Sequence, residues 1–167
     1  LGFYIRDLHQ QLLAEYQNQY SNYKGPALTL YRGQTVTKNT LEELKIKKGG
    51  LLAFNSFIST SRNRKVAIGF FNRKTTQTDR VCVLYSITAD PKIDSAPFAD
   101  VKEKSYFQSE EEILFSTNAV FRIGDMMKAR EGDFYEIQLT QTIDQDEELQ
   151  DMTAFFRDEI KENQIFF

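Results

Sequence analysis

Gln108-Ser109-Glu110-Glu111-Glu112-Ile113-Leu114-Phe115 sets three adjacent carboxylates directly against an apolar strand. Like charges repel, and such a run ordinarily belongs to a solvated loop. Here it leads into residues that favour burial. A strand period of two puts Glu110 and Glu112 on one face and Glu111 on the other. Glu112 is thereby drawn toward the core edge, where desolvating a carboxylate costs free energy unless the group is paired or used. A solvated acidic surface is the plainer reading of the same residues, and the rest of the chain has to decide between the two.

On either side of this stretch the elements alternate in kind. Arg80 to Thr88 (RVCVLYSIT) is nearly continuous in apolar and β-branched residues and is the strongest strand signal in the chain. Glu112–Ser116, Ala119–Ile123 and Phe134–Thr142 follow as further strands. Ala27–Tyr31, Leu51–Phe54 and Ser56–Thr60 precede it, the last two interrupted near Asn55. Near the start, Ile5, Leu8, Leu12, Leu13, Tyr16 and Tyr20 recur at spacings of three and four, which predicts an amphipathic helix within residues 1–24, closed by Lys24-Gly25-Pro26. Thr40-Leu41-Glu42-Glu43 has the form of a capping box and predicts a short helix ended by Gly49-Gly50. Arg62–Phe71 reads as a helix with Val66, Ile68, Phe70 and Phe71 as apolar positions, and Asp144–Lys161 as a last helix with anions near its start. The expectation is one α+β domain over residues 1–167, with an N-terminal helix, a core over 27–142 and a C-terminal helix over 144–161.

Composition narrows the function classes. A chain of 167 residues with 41% hydrophobic content, 14 Phe and 8 Tyr supports a real core without staples. Lys plus Arg number 21 against 24 Asp plus Glu, a net charge of −3, so the basic excess that binds phosphate backbones is missing and no nucleic-acid partner is expected. A single cysteine, Cys82, forms no internal disulfide, and with a single histidine, His9, the chain lacks the Cys/His set of a zinc site and the histidine-based triads their usual parts. No metal is expected. No apolar run approaches the roughly 18 residues that cross a bilayer, so no membrane partner is expected. The chain starts at Leu1, which fits a segment of a larger protein, and a monomer is the expected state.

Two more clusters join the acidic run. Tyr31-Arg32-Gly33-Gln34 puts an arginine at a strand end, followed by a glycine that lets a ligand approach the backbone; a solvated turn is the plainer reading. Phe57-Ile58-Ser59-Thr60-Ser61 ends a strand in hydroxyls, where Ser61 or Asn63 as a helix cap is the plainer reading. Taken in order, Tyr31-Arg32-Gly33, Phe57-Ile58-Ser59-Thr60-Ser61 and Glu110-Glu111-Glu112-Ile113-Leu114 resemble the three motifs of the ADP-ribosyltransferase superfamily, in its arginine-serine-glutamate branch of cholera-like and clostridial toxins and arginine-specific ectoenzymes. The resemblance runs from about Ala27 to about Thr142. The diphtheria-like branch has a His in the first motif and a Tyr in the second, where this chain has Arg32 and Ser59. It departs from the family in having Phe115-Ser116-Thr117 where many members carry a proline, and its one cysteine cannot supply the disulfides of the vertebrate ectoenzymes.

The resemblance implies two packed, mostly antiparallel sheets with flanking helices and an NAD cleft between them. It implies mono-ADP-ribosyl transfer from NAD to a protein arginine, with release of nicotinamide. Glu112 would stabilise the oxocarbenium-like transition state and Ser59 would hold its carboxylate. Arg32 would grip the diphosphate with its donor fork. Gly33 would offer backbone groups to the nicotinamide amide, and Phe70 a ring face to the nicotinamide. Phe70-x-x-Arg73 resembles the aromatic and arginine that cover nicotinamide and phosphates in toxin members. Glu110 would prepare the arginine acceptor, and Tyr106 and Phe107 resemble the aromatic of a target-recognition turn, though a hydrophobic anchor of the loop accounts for them equally. Two alternatives stand beside transfer: an NAD glycohydrolase, in which water takes the acceptor's place, and a non-catalytic NAD-binding or interaction module. A glycosidase fits less well, because same-face strand neighbours sit about 7 Å apart and on one side of any bound sugar.

Overall fold

The structure, a computed structural model, describes residues 2–71, 78–93, 96–101, 111–143 and 164–166. Among these residues three helices, α1 (Gly2–Tyr20), α2 (Lys38–Ile46) and α3 (Arg64–Gly69), are interleaved with nine strands. These are β1 (Leu28–Thr37), β2 (Leu51–Phe54), β3 (Ile58–Ser61), β4 (Arg80–Ala89), β5 (Phe98–Asp100), β6 (Glu112–Phe115), β7 (Ala119–Lys128), β8 (Tyr135–Gln141) and β9 (Gln164–Phe166). The α+β class is as expected; the C-terminal helix expected over 144–161 lies outside the described residues.

The two expected sheets are one continuous hydrogen-bonded sheet, in the order β5-β6-β3-β1-β4-β8-β7-β2-β9. Every pairing is antiparallel except β4 with β8. The join is narrow. β1 pairs with β4 along its full length from Leu28↔Ala89 to Thr37↔Arg80, yet meets β3 only at Tyr31↔Ser61. The sheet folds over at this seam. Phe115 of β6 and Phe121 of β7 stand five strands apart in the order, about 24 Å in a flat sheet, yet their ring centroids lie 5.5 Å apart. Phe98 against Phe115 at 4.8 Å, and Phe54 against Phe121 and Tyr85 at 5.9 Å each, continue the aromatic stack between the layers. Aromatic side chains thus fill the space between the layers, so an open cleft is found at the seam, where β3 parts from β1.

Local chemistry explains the boundaries. The helix predicted from Thr40 begins earlier, because Thr37 is the N-cap: its hydroxyl accepts a hydrogen bond from the Thr40 amide at 3.1 Å. β1 runs six residues beyond the predicted end at Tyr31, through Gly33, because β4 supplies a partner for each residue. α1 packs Tyr16 and Tyr20 against Phe98 of β5. Its Gln19 side chain exchanges hydrogen bonds of 2.8 and 3.0 Å with the Asp100 backbone, covering that sheet edge.

Candidate active site

A cavity of about 600 Å³ opens at the seam. Its walls are β1 from Tyr31 to Thr35, β3 from Ser59 to Ser61, Ala67 and Phe70 of the α3 region, and Arg80 at the start of β4. Past Tyr31, β1 no longer pairs with β3, so its edge from Arg32 onward borders the cavity. Of the residues singled out from the sequence, Arg32, Gly33, Ser59 and Phe70 line it.

Arg32 is the least satisfied polar group there. Its Nη1 donates to the Ser59 carbonyl oxygen at 3.1 Å, and its buried Nε has no hydrogen-bond partner among the described residues. Burial pulls the guanidinium below the ordinary arginine pKa, with the nearby Tyr85 opposing. No described carboxylate forms an ion pair with it. A guanidinium remains charged under any ordinary condition, so the cavity wall carries a positive charge that no described carboxylate pairs with directly.

Ser59 is bound on both sides. Its carbonyl takes the Arg32 bond and its hydroxyl donates to Glu112 Oε1 at 2.7 Å. The β3–β6 register explains that second contact: Ser61 lies opposite Glu112 and Ser59 opposite Leu114, so Ser59 and Glu112 share a face on the diagonal. Glu112 is half-buried and does not itself line the cavity; the Ser59 hydroxyl connects it to the wall. Thr60, on the opposite face, donates to the Ile113 carbonyl at 2.8 Å.

Two readings change. The period of two fails upstream of Glu112, because β6 begins there and Glu111 takes a left-handed φ of 45°, which breaks the pleat. The argument that puts Glu110 on the face of Glu112 therefore does not hold; Glu110, Arg73, Tyr106 and Phe107 lie outside the described residues. Gly33 borders the cavity with its backbone, while a Cβ there would stand 1.9 Å from the Ala67 carbonyl oxygen, so glycine is what lets α3 press on β1. The predicted helix over 62–71 shortens to Arg64–Gly69, because Asn63 caps it with a 3.0 Å bond from the Lys65 amide while Ser61 accepts from the Asn63 amide. Its apolar positions shift as well. Ala67 and Phe71 are buried, whereas Phe70 is 56% exposed at the cavity wall.

Sequence reasoning missed Arg80, a polar residue heading an apolar strand, and Arg64, whose partners lie in the turn after β7 and on β8. Only the first left any local trace.

No protein-family model and no curated protein sequence matches the chain. Solved structures do. The Vis ADP-ribosyltransferase of Vibrio splendidus, in complex with agmatine, is similar with a TM-score of 0.55 at 25% identity, over 82% of this chain and 59% of its own. The ADP-ribosyltransferase HopU1 of Pseudomonas syringae pv. Tomato DC3000 gives a TM-score of 0.52 at 24% identity, over 70% of this chain and 46% of its own. C3stau2 from S. aureus, crystallised with NAD, gives 0.55 at 10% identity, over 83% and 72%. The chain thus spans about three-fifths of the Vis chain. Its fold is that of the ADP-ribosyltransferase superfamily. Within that superfamily the likeness is to toxin-type members, in keeping with the resemblance of the three motifs.

Proposed function

We propose that the chain binds NAD in the seam cavity, cleaves the bond between nicotinamide and ribose, and transfers ADP-ribose to an arginine side chain. The observation that carries this reading is the Arg32 guanidinium, without an ion pair among the described residues, beside the Ser59–Glu112 hydrogen bond: a positive charge at the cavity wall and an oriented carboxylate joined to that wall through the Ser59 hydroxyl. A cavity of about 600 Å³ lies in the range of small-molecule sites. In this reading Arg32 takes the diphosphate, the chemical class of anion that its planar fork suits. Phe70 offers its exposed face to the nicotinamide, and Gly33 keeps the β1 edge close to α3. As the C–N bond breaks, its electron pair leaves with nicotinamide and the ribose gains oxocarbenium character; Glu112 balances that charge, and the Ser59 hydroxyl keeps its carboxylate aimed.

The acceptor rests on the motif resemblance through Glu110, a carboxylate able to orient a guanidinium and take its proton as the new C–N bond forms. Agmatine, the ligand of the Vis structure, carries the guanidinium such an acceptor would present. Arg73 would add a second cation to the phosphates. Among the described residues no three His, Cys, Asp or Glu side chains gather as a metal site; a reaction independent of metal is proposed, and turnover unchanged by EDTA would agree with it. The direct test incubates the chain with labelled NAD, with and without agmatine, and follows free nicotinamide and labelled agmatine. Nicotinamide release with agmatine labelling is expected. Release that labels only water's product would favour glycohydrolase, and neither product would leave a binding module. Glu110→Gln is expected to lose agmatine labelling and keep hydrolysis.

A further inference from the structure

Outside the cavity one charged cluster is more completely built than any other among the described residues. Arg64, in the first turn of α3, reaches Glu131 with Nη1 at 2.5 Å and Glu136 with Nη2 at 2.6 Å. Its guanidinium carbon also lies 5.7 Å from the Phe134 ring centroid. Both terminal nitrogens of the fork are used and an aromatic ring lies within cation–π reach, a geometry that lysine does not reproduce. Phe134 in turn meets Phe71 at 5.2 Å, and Ala67, Phe71, Leu84 and Phe134 form a small buried cluster of their own.

The β4–β8 register sets Leu84 opposite Glu136, so the clamp stands on the sheet face away from the main aromatic core. α3 is therefore held at two points. Ala67 rests on Gly33, and Arg64 is tied to β8 and the turn before it. A helix of 6 residues has little stability of its own, so its placement depends on such ties. Phe70 follows Arg64 by six residues, about 9 Å along the axis, and stands half-exposed at the cavity wall.

We infer that Arg64 is a positioning residue for nucleotide binding: its clamp on Glu131, Glu136 and Phe134 sets the angle of α3 on the sheet, and through it the position of Phe70 in the cavity. The inference rests on the reading of the cavity as an NAD site. It predicts that loosening the clamp weakens NAD binding while leaving the Ser59–Glu112 pair, which belongs to other strands, unaltered.

The test compares the wild-type chain with Arg64→Met, which keeps an aliphatic stem, and Arg64→Lys, which keeps the charge and loses the fork. Hydrogen exchange of the free proteins is read first. In Arg64→Met the Ala67, Phe70 and Phe71 amides, bonded to Asn63, Ala67 and Ile68 carbonyls, should exchange faster while the β4 amides keep their protection. The NAD KM should rise by about 2- to 30-fold, the range for changes acting through packed elements, with kcat altered by no more than about twofold. Arg64→Lys should recover part of the KM change. Protection lost evenly across the sheet with KM unchanged would make Arg64 an ordinary stabilising residue and overturn the inference. So would a fall in kcat at constant KM. Wild-type chain that neither binds nor turns over NAD would overturn the reading of the cavity itself, and the claim about affinity with it; that outcome is distinguished by calorimetry on the wild type alone.

Discussion

Two arginines on opposite sides of β1 meet opposite fates. Arg64, on the outer face, has two carboxylates and an aromatic ring around it, and both terminal nitrogens of its fork are paired. Arg32, at the seam, is more deeply buried and has one carbonyl bond, an orphan Nε and no described counter-charge. A charge matched inside the chain holds elements together; a charge left unmatched in a cavity is stabilised when an anion arrives. On the proposed reading Arg32 meets the ligand directly while Arg64 acts on it only through the placement of α3, and substitutions at the two should differ accordingly.

The largest effect belongs to the cleft. Glu112→Gln keeps the shape and the bond from Ser59 but removes the negative charge, and should lower nicotinamide release by about 10² to 10³ with little change in melting temperature. A parallel fall in melting temperature would turn Glu112 into a structural group and blur the contrast. Gly33 lies between the two regions, so Gly33→Ala should damage both. Its methyl must displace the Ala67 carbonyl, now 1.9 Å from where the Cβ would lie, at about 1 to 3 kcal/mol by analogy with overpacking. Denaturant unfolding and NAD titration of the same variant should both move; a loss of one without the other would separate α3 placement from binding.

Away from both regions the effects shrink to stability alone. Thr37→Ala removes the cap of α2 and should cost about 1 kcal/mol in denaturant unfolding with NAD affinity unchanged. The smallest change is expected at Glu111, an exposed residue whose left-handed backbone does not depend on its charge. Glu111→Gln should stay within about 0.5 kcal/mol of the wild type and retain turnover. Strong loss of nicotinamide release there would mean that the charge in the acidic run, rather than Glu112 in particular, is what matters.

What could be read in the chain depended on how local its cause was. α1 and β4 were legible because their patterns, three-and-four spacing and a nearly unbroken apolar run, belong to one segment. β5 was not, since its three residues are completed by Gln19 from far away in the chain. The second half of β1 was hidden by Gly33, which reads as a strand break until β4 is seen to pair through it. The same holds for the site. Ser59 and Glu112 stand out in their own segments, but the 2.7 Å bond joining them is made by strand pairing across 53 residues. The Arg64 clamp leaves no local sign at all, because Glu136 lies 72 residues away.

The central claim is that Arg32, which has no ion pair among the described residues, serves a phosphate-bearing ligand, and one paired measurement on Arg32→Met tests it: the melting temperature without ligand and the NAD affinity by calorimetry. Stability within about 1 kcal/mol of the wild type, because one hydrogen bond is lost while a buried charge without an ion pair among the described residues is removed, together with NAD binding weakened by about tenfold or more, is the predicted result. A marked fall in melting temperature with NAD affinity intact would contradict it and make Arg32 part of the scaffold.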